Sequence, residues 1–373
     1  MRAHQSAKPT RLQLETLEVR AVPSAVVSHD HILGTAPATS TAPHATSGTP
    51  LPIGPPSPSP PATITVTDGF GGGANLTGQI YATGGANGMV TVYDLASGAT
   101  KFRFQPYAGY TGPVRVAVGD VTGNGQEDVI VAPGPGLQSI IEVFDGSTGQ
   151  MVRSFDAYGG FTGGAFVAVG DVGGLGIDDI VTGADAGGGP NVKVFDSAGN
   201  VVYNFNAYSQ NFHGGVRVAV GDVNGDGQGD IITSPGVGMT STIEVWSGAT
   251  GAMIQSFNAY GAWQGGAYVA AGDLNGDGIA DIITGADAGG GANVKAFNGL
   301  SLSVMANFLA AGNFSGGVRV AAVDVSGDGH DDIVTSLGSG SNQIQLYNGT
   351  GKSVLASFLA ADPANPGGDF IGG

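Results

Sequence analysis

The stretch GDVNGDGQGDII, residues 221–232, decides how this chain is read. It places Asp222, Asn224, Asp226 and Asp230 in a glycine-punctuated polar loop that runs directly into Ile231 and Ile232. Related loops begin at Asp120, Asp171, Asp273 and Asp324, so the first acid recurs at a constant step of 51 residues. An aromatic series, Tyr110, Phe161, Phe212, Trp263 and Phe314, keeps the same step. Self-similarity at one period over five copies marks a repeat architecture.

One unit reads VRVAVGD, a polar loop, DVIVAPG, a glycine-rich turn, IIEVFDG, then STGQMVRSFDAY. These are four short β-rich runs separated by turn signals. No segment holds a 3.6-residue apolar period, which excludes helical solenoids. Four strands in about fifty residues is the size of a propeller blade. Residues 63–373 hold about six such units, so the expected fold is all-β, a six-bladed β-propeller of four-stranded blades. The first unit is degenerate, yet Asp94 lies 51 residues before Asp145. The run PGGDFIGG at 366–373 matches FSGGVRV one period earlier. Ring closure is therefore expected near the two ends, with TITVT (63–67), DFIGG (369–373) or both completing one blade.

Composition agrees. The 373 residues include 68 Gly and 41% apolar residues, enough for a core built from strands and tight turns. The absence of cysteine excludes disulfides, thiolate metal sites and a cysteine nucleophile. A formal charge of −17 argues against a nucleic-acid partner and suits cations. No apolar run approaches the ~18 residues of a membrane span.

The first 62 residues differ. Residues 1–22 are weakly basic and lack an apolar h-region, so they do not form an ordinary signal peptide. They read as an export-type or disordered segment. RLQLETLEVRAVPS resembles a short Leu-Glu-rich N-terminal motif found on some exported bacterial repeat proteins. Residues 23–62, rich in Pro, Ser, Thr and Ala, read as an extended linker that buries too little surface to fold.

Within the repeat, units alternate. GADAGGGPNVKVF (183–195) returns 102 residues later as GADAGGGANVKAF, and Arg115, Arg217 and Arg319 share that step. The ring reads as three pairs of blades. The third strand alternates Glu142, Lys193, Glu244, Lys295, Gln345, either pairing across blades or standing as independent exposed charges.

The loops carry the chemistry. Calcium takes six to eight oxygens, and a loop with oxygens at positions 1, 3, 5 and 9, a carbonyl at 7 and glycine at 6 can wrap it. The opening stretch supplies Asp222, Asn224, Asp226 and Asp230, with Gly227 at the bend and the carbonyl of Gln228. The next loop supplies Asp273, Asn275, Asp277, Asp281 and the carbonyl of Ile279; the last supplies Asp324, Ser326, Asp328, Asp332 and that of His330. Asp120, Thr122, Asn124, Gln126 and Asp128 form a set with only two carboxylates, expected to bind more weakly. The Asp171 loop keeps Asp179 but has Gly173 and Leu175 at positions 3 and 5, and is expected to stay empty. An EF-hand is excluded, because position 12 is Val131, Thr233, Thr284 or Thr335 and β-rich runs flank the loop. The alternative is a hairpin turn whose Asp and Asn cap backbone N–H groups. Thirteen of the thirty acids occupy positions 1, 3, 5 or 9 of the five loops, so the acidity is largely a by-product of the repeat.

GGVRVAVGDVNGDGQGDIITSPGVG resembles the FG-GAP repeat of integrin-alpha-like β-propellers and the related bacterial VCBS repeats. The resemblance implies structural Ca2+ in the loops, a secreted or cell-surface protein and a role in adhesion or ligand binding. The chain departs from integrin propellers in having six units where those have seven.

Enzyme signatures are missing: there is no nucleophile elbow, P-loop, HExxH or dinucleotide fingerprint. His4, His29, His31 and His44 lie in the leading segment, and His213 and His330 sit in loops without matched partners. The expectation is a non-catalytic, monomeric calcium-binding propeller whose partner is a protein or carbohydrate ligand at a cell surface or matrix. A lectin-like alternative would use the aromatic series, or Tyr107, Tyr158, Tyr208 and Tyr260, as stacking platforms; the competing role is packing between blades. An enzyme with a site at the ring mouth is the third reading.

Overall fold

Runs of five or six residues rich in Val, Ile and Ala, bounded by Gly, Pro, Asn or Asp, fold as strands. The computed structural model describes residues 79–95, 97–338, 341, 343–351, 353–359 and 370–372. The expectations for residues 1–62 and for TITVT lie outside the described residues.

The strands run in chain order as β1 (Ile80–Gly84), β2 (Val90–Asp94), β3 (Thr100–Phe104), β4 (Val114–Gly119), β5 (Asp128–Pro133), β6 (Ile140–Asp145), β7 (Met151–Asp156) and β8 (Ala165–Gly170). They continue as β9 (Asp179–Ala184), β10 (Asn191–Phe195), β11 (Val201–Asn206), β12 (Val216–Gly221), β13 (Asp230–Pro235), β14 (Thr242–Trp246), β15 (Met253–Asn258) and β16 (Ala267–Gly272). The remainder are β17 (Asp281–Ala286), β18 (Asn293–Phe297), β19 (Val304–Leu309), β20 (Val318–Val323), β21 (Asp332–Leu337), β22 (Gln343–Tyr347), β23 (Val354–Leu359) and β24 (Phe370–Gly372).

They form six four-stranded antiparallel sheets, five of them from consecutive strands β4–β7 through β20–β23. The sixth is ordered β24-β1-β2-β3, so residues 370–372 supply the inner strand of the first blade. Ala82, Thr83 and Gly84 pair with Gly372, Ile371 and Phe370. Residues 370–372 of DFIGG thus join the first blade, in keeping with the expectation of closure near the two ends. Closure is completed by packing: Ala321, Val334 and Ile344 of the sixth blade share a cluster with Leu95 and Ile371 of the first.

The core is a ring of interfaces between blades. The second strands β5, β9, β13, β17 and β21 are buried at every position, including their leading Asp and, in four of them, a Thr. Ile231 and Ile232 are both fully buried, each worth about 1.5–3 kcal/mol of transfer free energy. Outer strands such as β7 alternate exposed and half-buried residues. Each outer ladder carries a register shift one or two residues before the third strand ends. Such bulges twist an exposed sheet edge away from flat pairing with another chain.

Cross-blade charge pairing does not form among the described residues. Lys193 and Lys295 donate instead to the carbonyls of Ala157 and Ala259 at 2.8 Å, and lie over the rings of Tyr158 and Tyr260. Glu142 and Glu244 each keep a buried oxygen without a hydrogen-bond partner. The charges are therefore not freely exposed either. The Lys stems pack along the interface, and the nearest acceptor is a backbone carbonyl.

Candidate functional site

The register explains how each polar loop closes. Gly221 pairs with Asp230, so positions 1 to 8 form the connection between the first two strands of the blade. Asp222 at position 1 accepts from the N–H groups of Gly225, Asp226 and Gly227 at 2.7–3.1 Å. Gly225 and Gly227 have φ of 75° and 87°, in the region that favours glycine. Asp226 accepts from Gln228 N–H at 3.0 Å, and Asp230 accepts from Val223 N–H and from the Asn224 amide. The Asp273 and Asp324 loops repeat this pattern through Asn275, Asp277, Asp281 and through Ser326, Asp328, Asp332. In the Asp120 loop, Asn124 accepts from Gln126 N–H, and Asp128 from Thr122 N–H.

Sequence reasoning left a cage and a bare turn both open, and the Asp171 loop separates their contributions. It lacks side-chain oxygens at positions 3 and 5, and Leu175 is 83% exposed. Its turn nevertheless forms, with Asp171 accepting from Leu175 and Gly176 N–H and Asp179 from Gly173 N–H. The turn is therefore made by carboxylate-to-backbone bonds at positions 1 and 9. The oxygens at 3 and 5 are additional to what the fold needs.

Electrostatics distinguish these acids from ordinary turn acids in the same molecule. Hydrogen bonds from Ser147 and Thr148 hold Asp145 below the usual carboxylate range. Burial, with added repulsion from Asp226 and Asp222, pushes Asp230 up to about 6. Asp332 rises to about 6 in the same way, and Asp128 and Asp281 are also raised, burial being the main cause. The buried Oδ1 of Asp128 and Oγ1 of Thr122 have no hydrogen-bond partner. Among the described residues, no three acidic or histidine side chains gather into a ready-made cage. The donor set still fits a hard cation: it is all oxygen, and a carboxylate has about four acceptor positions, more than the turn bonds occupy.

Sequence reasoning missed how the loops join. The N–H at position 8 of one loop donates to the carbonyl at position 1 of the loop before it: Asp178 to Asp120, Gly229 to Asp171, Ala280 to Asp222 and Asp331 to Asp273, at 2.8–3.1 Å. The carboxylates of Asp178 and Asp331 also accept from the N–H of Asp120 and Asp273. The side chains at position 7 extend the same way, Gln228 lying over Gly174, Ile279 over Gly225 and His330 over Gly276. His330 is exposed, as is His213, whose Nδ1 meets the Gly188 carbonyl at 2.9 Å.

At the other end of the channel, the 102-residue arginine series is half of a ring. At one 51-residue step the inner strands carry Arg115, Phe166, Arg217, Tyr268, Arg319 and Phe370, the second residue of five strands and the first of β24. The three aromatic rings form a near-equilateral triangle with centroids 6.2–6.4 Å apart. Each arginine lies against two of them, at 4.0–5.5 Å. Arg115 pairs with Asp185 and donates to Pro133 O; Arg217 pairs with Asp287 and donates to Pro235 O. Below the ring, valines and alanines of the inner strands line a cavity of about 110 Å³.

The tyrosine series packs between blades. Tyr107, Tyr158, Tyr208 and Tyr260 each donate to a carbonyl of the next blade, at Ile140, Asn191, Thr242 and Asn293. Tyr110, Phe161, Phe212 and Trp263 stand edge-on to those tyrosines and are half-buried, and Phe314 is half-buried too. They lie on the connections that enter the inner strands, the face opposite the polar loops.

Among the described residues, no helix is long and apolar enough to cross a membrane. A search of the curated proteins finds no match. Among solved structures, the crystal structure of the computationally designed Ika8 protein is similar, at 17% identity and a TM-score of 0.41, covering 74% of this chain and 70% of that one. Residues 265–299, which span the first three strands of the fifth blade, match the FG-GAP repeat family. With that match on one blade of a ring whose register and 51-residue step recur, the chain is a six-bladed β-propeller in which residues 265–299 match an FG-GAP repeat.

Proposed function

We propose that this protein is an extracellular, non-catalytic interaction propeller whose hairpin loops bind Ca2+ structurally. The observation that carries the reading is the surplus of oxygens at positions 3 and 5, which the Asp171 loop shows to be unnecessary for the turn. The ion would be held by Asp222, Asn224, Asp226 and Asp230, and by the matching residues of the Asp273, Asp324 and Asp120 loops. It would offset the burial, and the smaller repulsion from neighbouring acids, that raise Asp230 and Asp332. The ligand-binding surface is assigned to the opposite face, where the inter-strand connections of several blades meet. The axial cavity, at about 110 Å³ and lined by valine and alanine, is smaller than the roughly 300 Å³ of an ordinary small-molecule site.

The test is unfolding in millimolar calcium against EDTA. For a loop with a dissociation constant near 10⁻⁴ M, about 1 mM calcium adds about 1.4 kcal/mol. Asp222→Ala with Asp226→Ala should remove one such increment. An unchanged midpoint in EDTA overturns the calcium reading. The half-exposed aromatics favour a second reading, carbohydrate stacking. Glycan binding lost in Trp263→Ala with folding intact would support it.

A further inference from the structure

Three arginines hold equivalent places in the axial ring, and two of them have an acid. Gly183 pairs with Val192 and Gly285 with Val294, and each crowds the carbonyl that opens the next inner strand, Val216 O and Val318 O. Asp185 and Asp287 come two residues after those glycines and meet Arg115 and Arg217 of the preceding blade. Gly84 is the counterpart facing Arg319: it pairs with Val90 and crowds Val114 O. Two residues after it stands Ala86. The turn is also three residues shorter, running from 84 to 90 where its relatives run from 183 to 192 and from 285 to 294.

Arg319 is correspondingly unsatisfied. Nε is buried without a hydrogen-bond partner in all three arginines, but in Arg319 Nη1 is too, whereas Nη1 of Arg115 and of Arg217 reaches a carbonyl. The faces of its guanidinium are taken by Phe370 at 4.0 Å and Tyr268 at 5.5 Å. Only its donor edge is left, and a desolvated charge without a counter-ion is costly. Arg319 is also more exposed than Arg115 and Arg217, and since its Nε and Nη1 are closed to solvent, the donor left for a ligand is Nη2, the atom through which the other two arginines meet their acids.

We propose that Arg319 and the shortened turn at Ala86 form a carboxylate-binding pocket at the channel mouth. The carboxylate takes the place that Asp185 and Asp287 hold beside the other two arginines. The two occupied copies define the ligand chemistry: a planar, singly charged group offering two oxygens to the edge of a guanidinium. The carboxylate belongs to a small molecule that enters from the channel mouth.

The experiment is a thermal unfolding titration of the full chain with sodium acetate against sodium chloride at matched ionic strength. A free carboxylate site gives a midpoint that rises with acetate. Arg319→Met weakens this response about tenfold or more, the loss expected for a charge-assisted bond. Ala86→Asp raises the midpoint in chloride and abolishes the response by supplying the missing acid. Because that variant gains stability, the test survives if Arg319→Met fails to fold. No acetate response in the wild type, or an equal response in Arg319→Met, overturns the proposal.

Discussion

Asp287→Ala tests the axial ring directly. The substitution leaves Arg217, 8% exposed and held against Phe166 and Tyr268, with only the Pro235 carbonyl at 3.0 Å. Removing one partner of a buried pair costs about 3–5 kcal/mol, mostly because the other charge stays buried. The Asp287 side chain is 16% exposed, so some water reaches the pair and the low end, about 3 kcal/mol, applies. At roughly 2–4 °C per kcal/mol for a domain approaching this size, the unfolding midpoint falls by about 6–12 °C. Urea unfolding followed by the fluorescence of Trp246 and Trp263 gives the free energy. The double variant Arg217→Met with Asp287→Ala removes the stranded charge and should recover at least half of the loss. A single variant within about 0.5 kcal/mol of wild type refutes the reasoning. So does a double variant less stable than the single one.

Burial pushes Glu244 up to about 7, so between about 4.5 and 7 the folded chain keeps a proton that the unfolded chain releases. The stability this group contributes is complete below that window and lost as pH rises through it. Discounted for partial exposure, the loss is about 1 kcal/mol. Glu244→Gln should therefore stabilise more at pH 8 than at pH 5, and parallel pH profiles for the two proteins would dismiss the effect. Gly173→Asn with Leu175→Asp installs the missing oxygens in the Asp171 loop without touching the core, since Leu175 is 83% exposed. Calcium titration should then count one more ion than in the wild type, and each loop occupied at tenfold its dissociation constant adds about 1.4 kcal/mol. An unchanged count would show that positions 3 and 5 are not ligands.

The fold was legible because a single period carried it. A step of 51 residues located the blades and the loops and placed ring closure near the two ends, leaving open which strand completes it. The axial ring was half legible. Arg115, Arg217 and Arg319 stood out by identity, while Phe166, Tyr268 and Phe370 fill the alternate places at the same step and differ in chemistry from the arginines. A search for repeated identity passes over a position that alternates between cation and aromatic. Asp185 and Asp287 were visible only as parts of a glycine-rich turn, because the arginines they meet lie 70 residues away in sequence and in another blade. The acids at position 8, Asp178 and Asp331, were missed for a similar reason. They act on the preceding loop, and no spacing within their own loop reveals it.

The strand that closes the ring also sets an order of events. Residues 82–84 acquire their inner neighbour only when residues 370–372 have been made. During synthesis, the first blade must wait as a three-stranded sheet while the other five take shape behind it. Phe370 brings the last corner of the aromatic triangle and the cover over Arg319 in the same step. Such a long-range pairing is slow to form, since the chain between its ends must be ordered first. The first blade's inner edge is thus the surface on which the nascent chain is open to pairing with another molecule.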